Sequence, residues 1–247
     1  MNSIAIVTLI IGEECTSNYN KFCKKSFKEY AKKHNFDLIE LDYLIDKNTN
    51  KHIAWQKLLI GTLDILKKYE TLIWIDADIV INVENAPNIL NGIPKHCVGA
   101  VKYHPLLSQS LFYTAYSRMS NGLSVPEFNL KLLRKHNLEI TPRCLINSGV
   151  LVIPKSAYEI LKNTYYKYEE IKNNDHQEQV FLSYELYTNG VTCFIDDRFN
   201  AVWYEFKQGP YFFNCSKQAD KQLIQKVLSE VYFLHFAGPK KDIILLE

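Results

Sequence analysis

Several signals that assign a protein quickly are missing from this sequence. Its six cysteines (Cys15, Cys23, Cys97, Cys144, Cys193, Cys215) include no Cys-x-x-Cys pair and no zinc spacing. That excludes a metal-finger scaffold and points to a reduced, intracellular protein. There is no excess of basic charge: the formal net charge is +2, too small for a nucleic-acid-binding chain. Lys24-Lys25 and Lys32-Lys33 read as a solvated helix face. No apolar run reaches the length of a membrane span. The stretch Ile4 to Ile11 has no cationic segment before it and no small-residue cleavage site after it, so it reads as a first strand rather than a leader. Internal repeats, low-complexity tracts and linkers are also lacking. What is present is a large apolar fraction, 47% hydrophobic with 13% aromatic, enough for a globular core. The 247 residues fit one domain.

The most informative local feature is Leu72-Ile73-Trp74-Ile75-Asp76-Ala77-Asp78-Ile79-Val80. Its apolar part is short and rich in β-branched and aromatic residues, as in a buried strand. Side chains at i and i+2 can converge on one cation where a strand opens into a turn. Magnesium and manganese take such carboxylates and complete their shell with phosphate oxygens. Asp is also a common turn former, so the pair needs company before it means chemistry.

Around it the first half alternates: a strand at 4–11, a helix at 18–34, a strand at 36–41, a helix at 52–69, the aspartate strand, and an apolar segment at 97–101. The 52–69 helix would carry Trp55, Leu59, Leu63 and Leu66 on one stripe with Leu58 beside it. This pattern predicts an α/β protein whose mainly parallel central sheet is flanked by helices, with ligands bound beyond the carboxyl ends of the strands. In the second half, the proline-punctuated stretch 104–143 reads as a helical insertion. A strand follows at 145–153 with Asn147-Ser148-Gly149 at its start, then a helix at 156–169, a polar turn at 173–175, a helix at 176–187, and strands at 191–195 and 231–236.

Five short motifs stand in order: Ala54-Trp55-Gln56-Lys57, Trp74-Ile75-Asp76-Ala77-Asp78, Asn147-Ser148-Gly149, Glu178-Gln179 and His235-Phe236-Ala237-Gly238. Their order and spacing resemble the GT-A (Rossmann-like) class of nucleotide-sugar glycosyltransferases. The likeness is to the retaining galactosyl-, mannosyl- and xylosyltransferases of family 34 and, more loosely, to the glycogenin-like family 8, whose H-x-x-G-x-x-K form is met by His235, Gly238 and Lys241. The resemblance spans roughly residues 4 to 241. It implies a single GT-A domain over 1–247, with a nucleotide-binding half at 1–103 and an acceptor-side, metal-closing half at 104–247. The implied activity is metal-dependent transfer of a hexose or pentose from a nucleotide-diphosphate sugar, UDP-linked, to a glycan or other hydroxyl acceptor, with retention. Mn2+ or Mg2+ is the implied cofactor. Eukaryotic family 34 enzymes carry a membrane anchor that this sequence does not show, which favours a cytoplasmic enzyme of bacterial or viral origin. Pro239 replaces a cysteine that often follows the H-F-x-G glycine.

The residue chemistry fits these roles. Asp76, Asp78 and His235 offer two carboxylates and an imidazole as metal ligands. Ala77 keeps the acids apart. Gly238 permits close backbone approach to phosphate, and Lys241 brings a point charge. Thr8 would meet the base or ribose, and Lys57 the donor, although a plain strand threonine and a snorkelling lysine have the same sequence. Asn147, Ser148 and Gly149 offer an amide, a hydroxyl and bare backbone to a sugar ring. Glu178 and Gln179 are the catalytic pair, Glu178 toward donor hydroxyls and Gln179 nearer the anomeric carbon; His176-Gln177 offers a second register. Two rival readings stay open. One is a haloacid-dehalogenase-like phosphatase using Asp76 and Asp78 with Ser148, Lys155 and Asp196-Asp197. The other is a nucleotide-sugar-binding module without turnover.

Overall fold

Parallel β-strands buried on both faces need apolar side chains in both directions, and the strands here have them. In the computed structural model, which describes residues 3–103, 131–140, 145–168, 178–207, 217–237 and 242–247, a six-stranded sheet runs in the order β2-β1-β3-β6-β5-β7. Its members are β1 (Ile4–Leu9), β2 (Asp37–Leu41), β3 (Thr71–Ile75), β5 (Val98–Lys102), β6 (Ile146–Pro154) and β7 (Thr192–Phe194). Five strands point one way. Only β6, set between β3 and β5, runs against them. A smaller sheet orders β4 (Ile79–Ile81), β9 (Phe233–His235) and β8 (Ala201–Val202).

The period-2 alternation of each strand divides the core. Ala5, Val7, Leu72, Trp74, Leu151 and Ile153 face one layer, where Trp55, Leu58, Tyr158 and Phe181 pack. Ile6, Ile73, Ile75, Val150 and Val152 face the other, with Phe27, Tyr30, Phe233 and Phe236. The mainly parallel α/β architecture expected from the sequence is therefore the one observed.

Two local expectations need correction. The segment 52–69 is not an α-helix: Ile53–Thr62 forms a 3-10 helix followed by turns. Residues 55–60 are all buried, including Gln56 and Lys57. With no solvent side, an amphipathic stripe has nothing to orient against. The first helix begins earlier than residue 18. It runs from Glu13–Asn18 through a π-helical turn at Tyr19–Cys23 into Lys24–His34, and Asn35 ends it in the left-handed region at φ 56°. Asn147-Ser148-Gly149 lies near the start of β6, where the sequence places it. A register shift opposite Ala100 and Val101, where Leu151 and then Asn147 are the partners, marks a bulge over residues 148–150. Bulges re-aim side chains, and this one carries them past the end of β3. Of the expected insertion only 131–140 is described, with a helical turn at 131–135. The polar turn at 173–175 lies outside the described residues.

Candidate active site

The site grows from the carboxyl end of β3. Asp76 follows the last buried residue of that strand, and its backbone N–H donates to the Gly149 carbonyl at 2.9 Å. Asp78 immediately precedes β4, whose antiparallel pairing with β9 sets Ile79 opposite His235. The Phe236 N–H donates to the Asp78 carbonyl at 3.0 Å. Two segments far apart in sequence thus meet through ordinary sheet pairing. One ligand atom each from Asp76, Asp78 and His235 lies within 4.8 Å of the other two. His235 Nε2 is 3.2 Å from Asp78 Oδ1 and 3.8 Å from Asp76 Oδ2. The two aspartates stay partly exposed while His235 is buried.

Asp76 divides its oxygens. Oδ1 accepts a hydrogen bond from Trp74 Nε1 at 2.6 Å and sits 3.1 Å from the Lys57 ammonium. Oδ2 is the atom that faces His235. Lys57, 3% exposed, also donates to the Ser148 carbonyl at 3.1 Å and pairs with Glu178 Oε1 at 3.4 Å. The Ser148 hydroxyl donates to the same Glu178 oxygen at 2.7 Å. Burial alone would pull the Lys57 ammonium down, but the Asp76 and Glu178 carboxylates outweigh it and hold it above the ordinary lysine range. Two carboxylates therefore face one ammonium, and Asp78 adds a third negative charge to the site. The surplus negative charge, two oxygens and a nitrogen at short range, is the donor set that manganese or magnesium accepts.

Gly149 shows the same fit from another side. A Cβ there would lie 2.5 Å from His235 Cε1 and 2.7 Å from its Nδ1. The imidazole occupies the space that any other residue would need. We expect Gly149→Ala to displace the ring at a cost of about 1–3 kcal/mol from overpacking, and to weaken manganese binding measured by calorimetry. Unchanged affinity would show that the ring can yield.

The structure brings Lys57, Asp76, Asp78, Ser148, Gly149, Glu178 and His235 together. Ala77 is buried between the acids. Asn147 is adjacent, its Oδ1 accepting from the Gly149 N–H and from Asn200 Nδ2, both at 2.9 Å. Thr8 is fully buried on β1, its hydroxyl without a partner among the described residues. Gln179 occupies the first turn of the helix Glu178–Thr188 and is partly exposed. Gln177, Gly238 and Lys241 lie outside the described residues. Asn200, bonded to His235 Nδ1 at 2.8 Å, is the site neighbour that sequence reading missed. No motif contains it, and its spacing from residues 147 and 235 carries no signal.

The phosphatase constellation does not assemble. Thr71 pairs with Pro154, so Lys155 lies at the start of β3, at the opposite end from Asp76, and faces Glu70 at 3.5 Å. Asp196 caps the 3-10 turn Asp197–Asn200 and pairs with Arg198 at 2.6 Å.

The family model for glycosyl transferase family 8 matches residues 2–242. The chain belongs to glycosyltransferase family 8. Family 8 is one of the two families its motifs resemble. The chain of this glycosyltransferase is structurally similar to a glycosyltransferase involved in the glycosylation of the major capsid of PBCV-1, with a TM-score of 0.61, 15% identity and 98% of each chain covered. It is also similar to the bifunctional glycosyltransferase WbbM, with a TM-score of 0.56 and 13% identity over 97% of this chain and 46% of that one. At such identities the likeness establishes the shared GT-A fold. No curated protein sequence matches at a significant level. Among the described residues of this glycosyltransferase, no helix is long and apolar enough to cross a membrane.

Proposed function

We propose that the chain moves a hexose or pentose from a UDP-linked sugar to a glycan hydroxyl, with retention of configuration, as a metal-dependent enzyme of the cytoplasm. The observation that carries this reading is the convergence of Asp76, Asp78 and His235 within 4.8 Å at the carboxyl end of a parallel strand. These residues would hold Mn2+ or Mg2+. When bound there, the cation supplies positive charge against the departing diphosphate. In this reading residues 1–103 and 104–247 form the nucleotide and acceptor sides of one domain.

The chain's own residues supply the rest. Trp74 Nε1 keeps Asp76 Oδ1 occupied, Lys57 reaches both oxygens, and Oδ2 is the one that faces His235. Glu178 gives Oε1 to Lys57 and Ser148, while Oε2 is buried and has no hydrogen-bond partner among the described residues. An orphaned carboxylate oxygen beside a sugar site is a suitable acceptor for a donor hydroxyl. Gln179, next in the same helical turn, is the group assigned to the reacting face, with Thr8 near the nucleoside and Gly238 and Lys241 at the diphosphate.

Gln179→Ala should lower the turnover number far more than it raises KM, the sign of an interaction made in the transition state. A raised KM with unchanged turnover removes Gln179 from the reacting face. The function itself is tested by a thermal-shift screen of nucleotide sugars with and without manganese. A ligand bound by the native state alone raises the Tm by mass action. The reading expects a manganese-dependent rise with UDP sugars, and equal Tm values across the panel would count against it.

A further inference from the structure

A chain of hydrogen bonds behind the metal-site histidine determines which of its nitrogens carries the proton. The Gly149 backbone N–H is a donor, and it points at the Asn147 side chain at 2.9 Å, so the Asn147 atom there is the acceptor Oδ1. Asn200 approaches the same Oδ1 at 2.9 Å and must therefore present its NH2 to it. That leaves Asn200 Oδ1, an acceptor only, facing His235 Nδ1 at 2.8 Å. Nδ1 must then be the protonated nitrogen. In the neutral ring Nε2 keeps its lone pair, and Nε2 is the nitrogen that faces Asp78 Oδ1 and Asp76 Oδ2.

We infer that Asn200 is a positioning residue for the metal site: by accepting from Nδ1 it fixes the tautomer and ring plane of His235, making Nε2 the ligand atom. The backbone holds Asn200 for this task. The 3-10 turn Asp197–Asn200, capped by the Asp196 side chain, delivers it directly into β8, which pairs in parallel with β9 so that Val202 lies opposite His235. At 2% exposure Asn200 has no water to substitute for either bond. Hydrogen-bonded partners behind metal-binding histidines generally act this way. The bulge in β6 completes the relay by bringing Asn147 to Asn200. The inference rests on the reading that Asp76, Asp78 and His235 hold a divalent cation.

The test has two arms. In metal-free protein labelled with 15N-histidine, at a pH where the ring is neutral and with the His235 signals assigned by comparison with a His235→Gln variant, the wild type should show a protonated Nδ1 and an unprotonated Nε2. Calorimetric titration with Mn2+ alone should show affinity falling by about 10- to 100-fold in Asn200→Ala. Asn200→Asp, which keeps the oxygen acceptor, should stay closer to wild type. A merely structural role predicts no such ordering and no change in tautomer. A neutral wild-type His235 that carries its proton on Nε2 instead of Nδ1 overturns the inference without needing any variant to fold. So does Asn200→Ala with wild-type manganese affinity. A wild type that shows the Nδ1-protonated ring yet binds no divalent cation locates the failure in the metal reading instead.

Discussion

Asp78→Asn and Asp76→Asn are expected to reduce sugar transfer by about a thousandfold or more, on the order of 4 kcal/mol in the barrier. Each removes one carboxylate from a set of three donors and leaves the remaining atoms with too little charge for a hard divalent cation. Neither change disturbs the core, because both side chains keep part of their surface open and the apolar layers end at Ile75 and Ile79. Asp76 also receives Trp74 Nε1 and Lys57. Asp76→Asn should therefore lose stability as well as activity. Initial rates of nucleotide release together with thermal melts measure both effects. Near-wild-type turnover in either variant, in the presence of a chelator, removes the metal from the account.

Lys57→Met should be the most destabilising single change at the site, by about 3–5 kcal/mol, because it strands the Asp76 and Glu178 carboxylates beside each other with no cation. For a chain of this length that is a fall in Tm on the order of 10 °C. The cost is electrostatic rather than steric, since methionine fills a similar volume. Adding Glu178→Gln to Lys57→Met should then recover part of the loss, and a double variant no more stable than the single one would show that packing dominates. Manganese ought to rescue Lys57→Met partly, since the cation replaces some of the missing positive charge.

The strands were legible because runs such as Leu72-Ile73-Trp74-Ile75 are short, β-branched and bounded by polar residues. The aspartate pair was legible for the same reason: it stands where such a run stops. Lys57 could not be read as buried, since a lysine beside apolar residues has the same sequence whether it snorkels or is enclosed by two carboxylates. The 3-10 course of Ile53–Thr62 goes with the enclosure of residues 55–60, a tertiary fact that a stripe of leucines does not encode. Gly149 could be seen as a bare backbone position, but not that the vacant volume belongs to His235. Asn200 is the hardest case. It takes part in the site through two hydrogen-bonding partners far from it in the chain, Asn147 and His235, and nothing local distinguishes it from any other asparagine.

The central claim, metal-dependent transfer from a sugar nucleotide, is tested most directly by identifying the product. The purified chain is incubated with a panel of UDP sugars and manganese, and released UDP and inorganic phosphate are quantified with and without chelator. The account predicts UDP release from at least one donor, with no phosphate, abolished by chelator and restored by excess manganese. UDP release that continues undiminished in chelator, or no release from any UDP sugar in the panel, would contradict it.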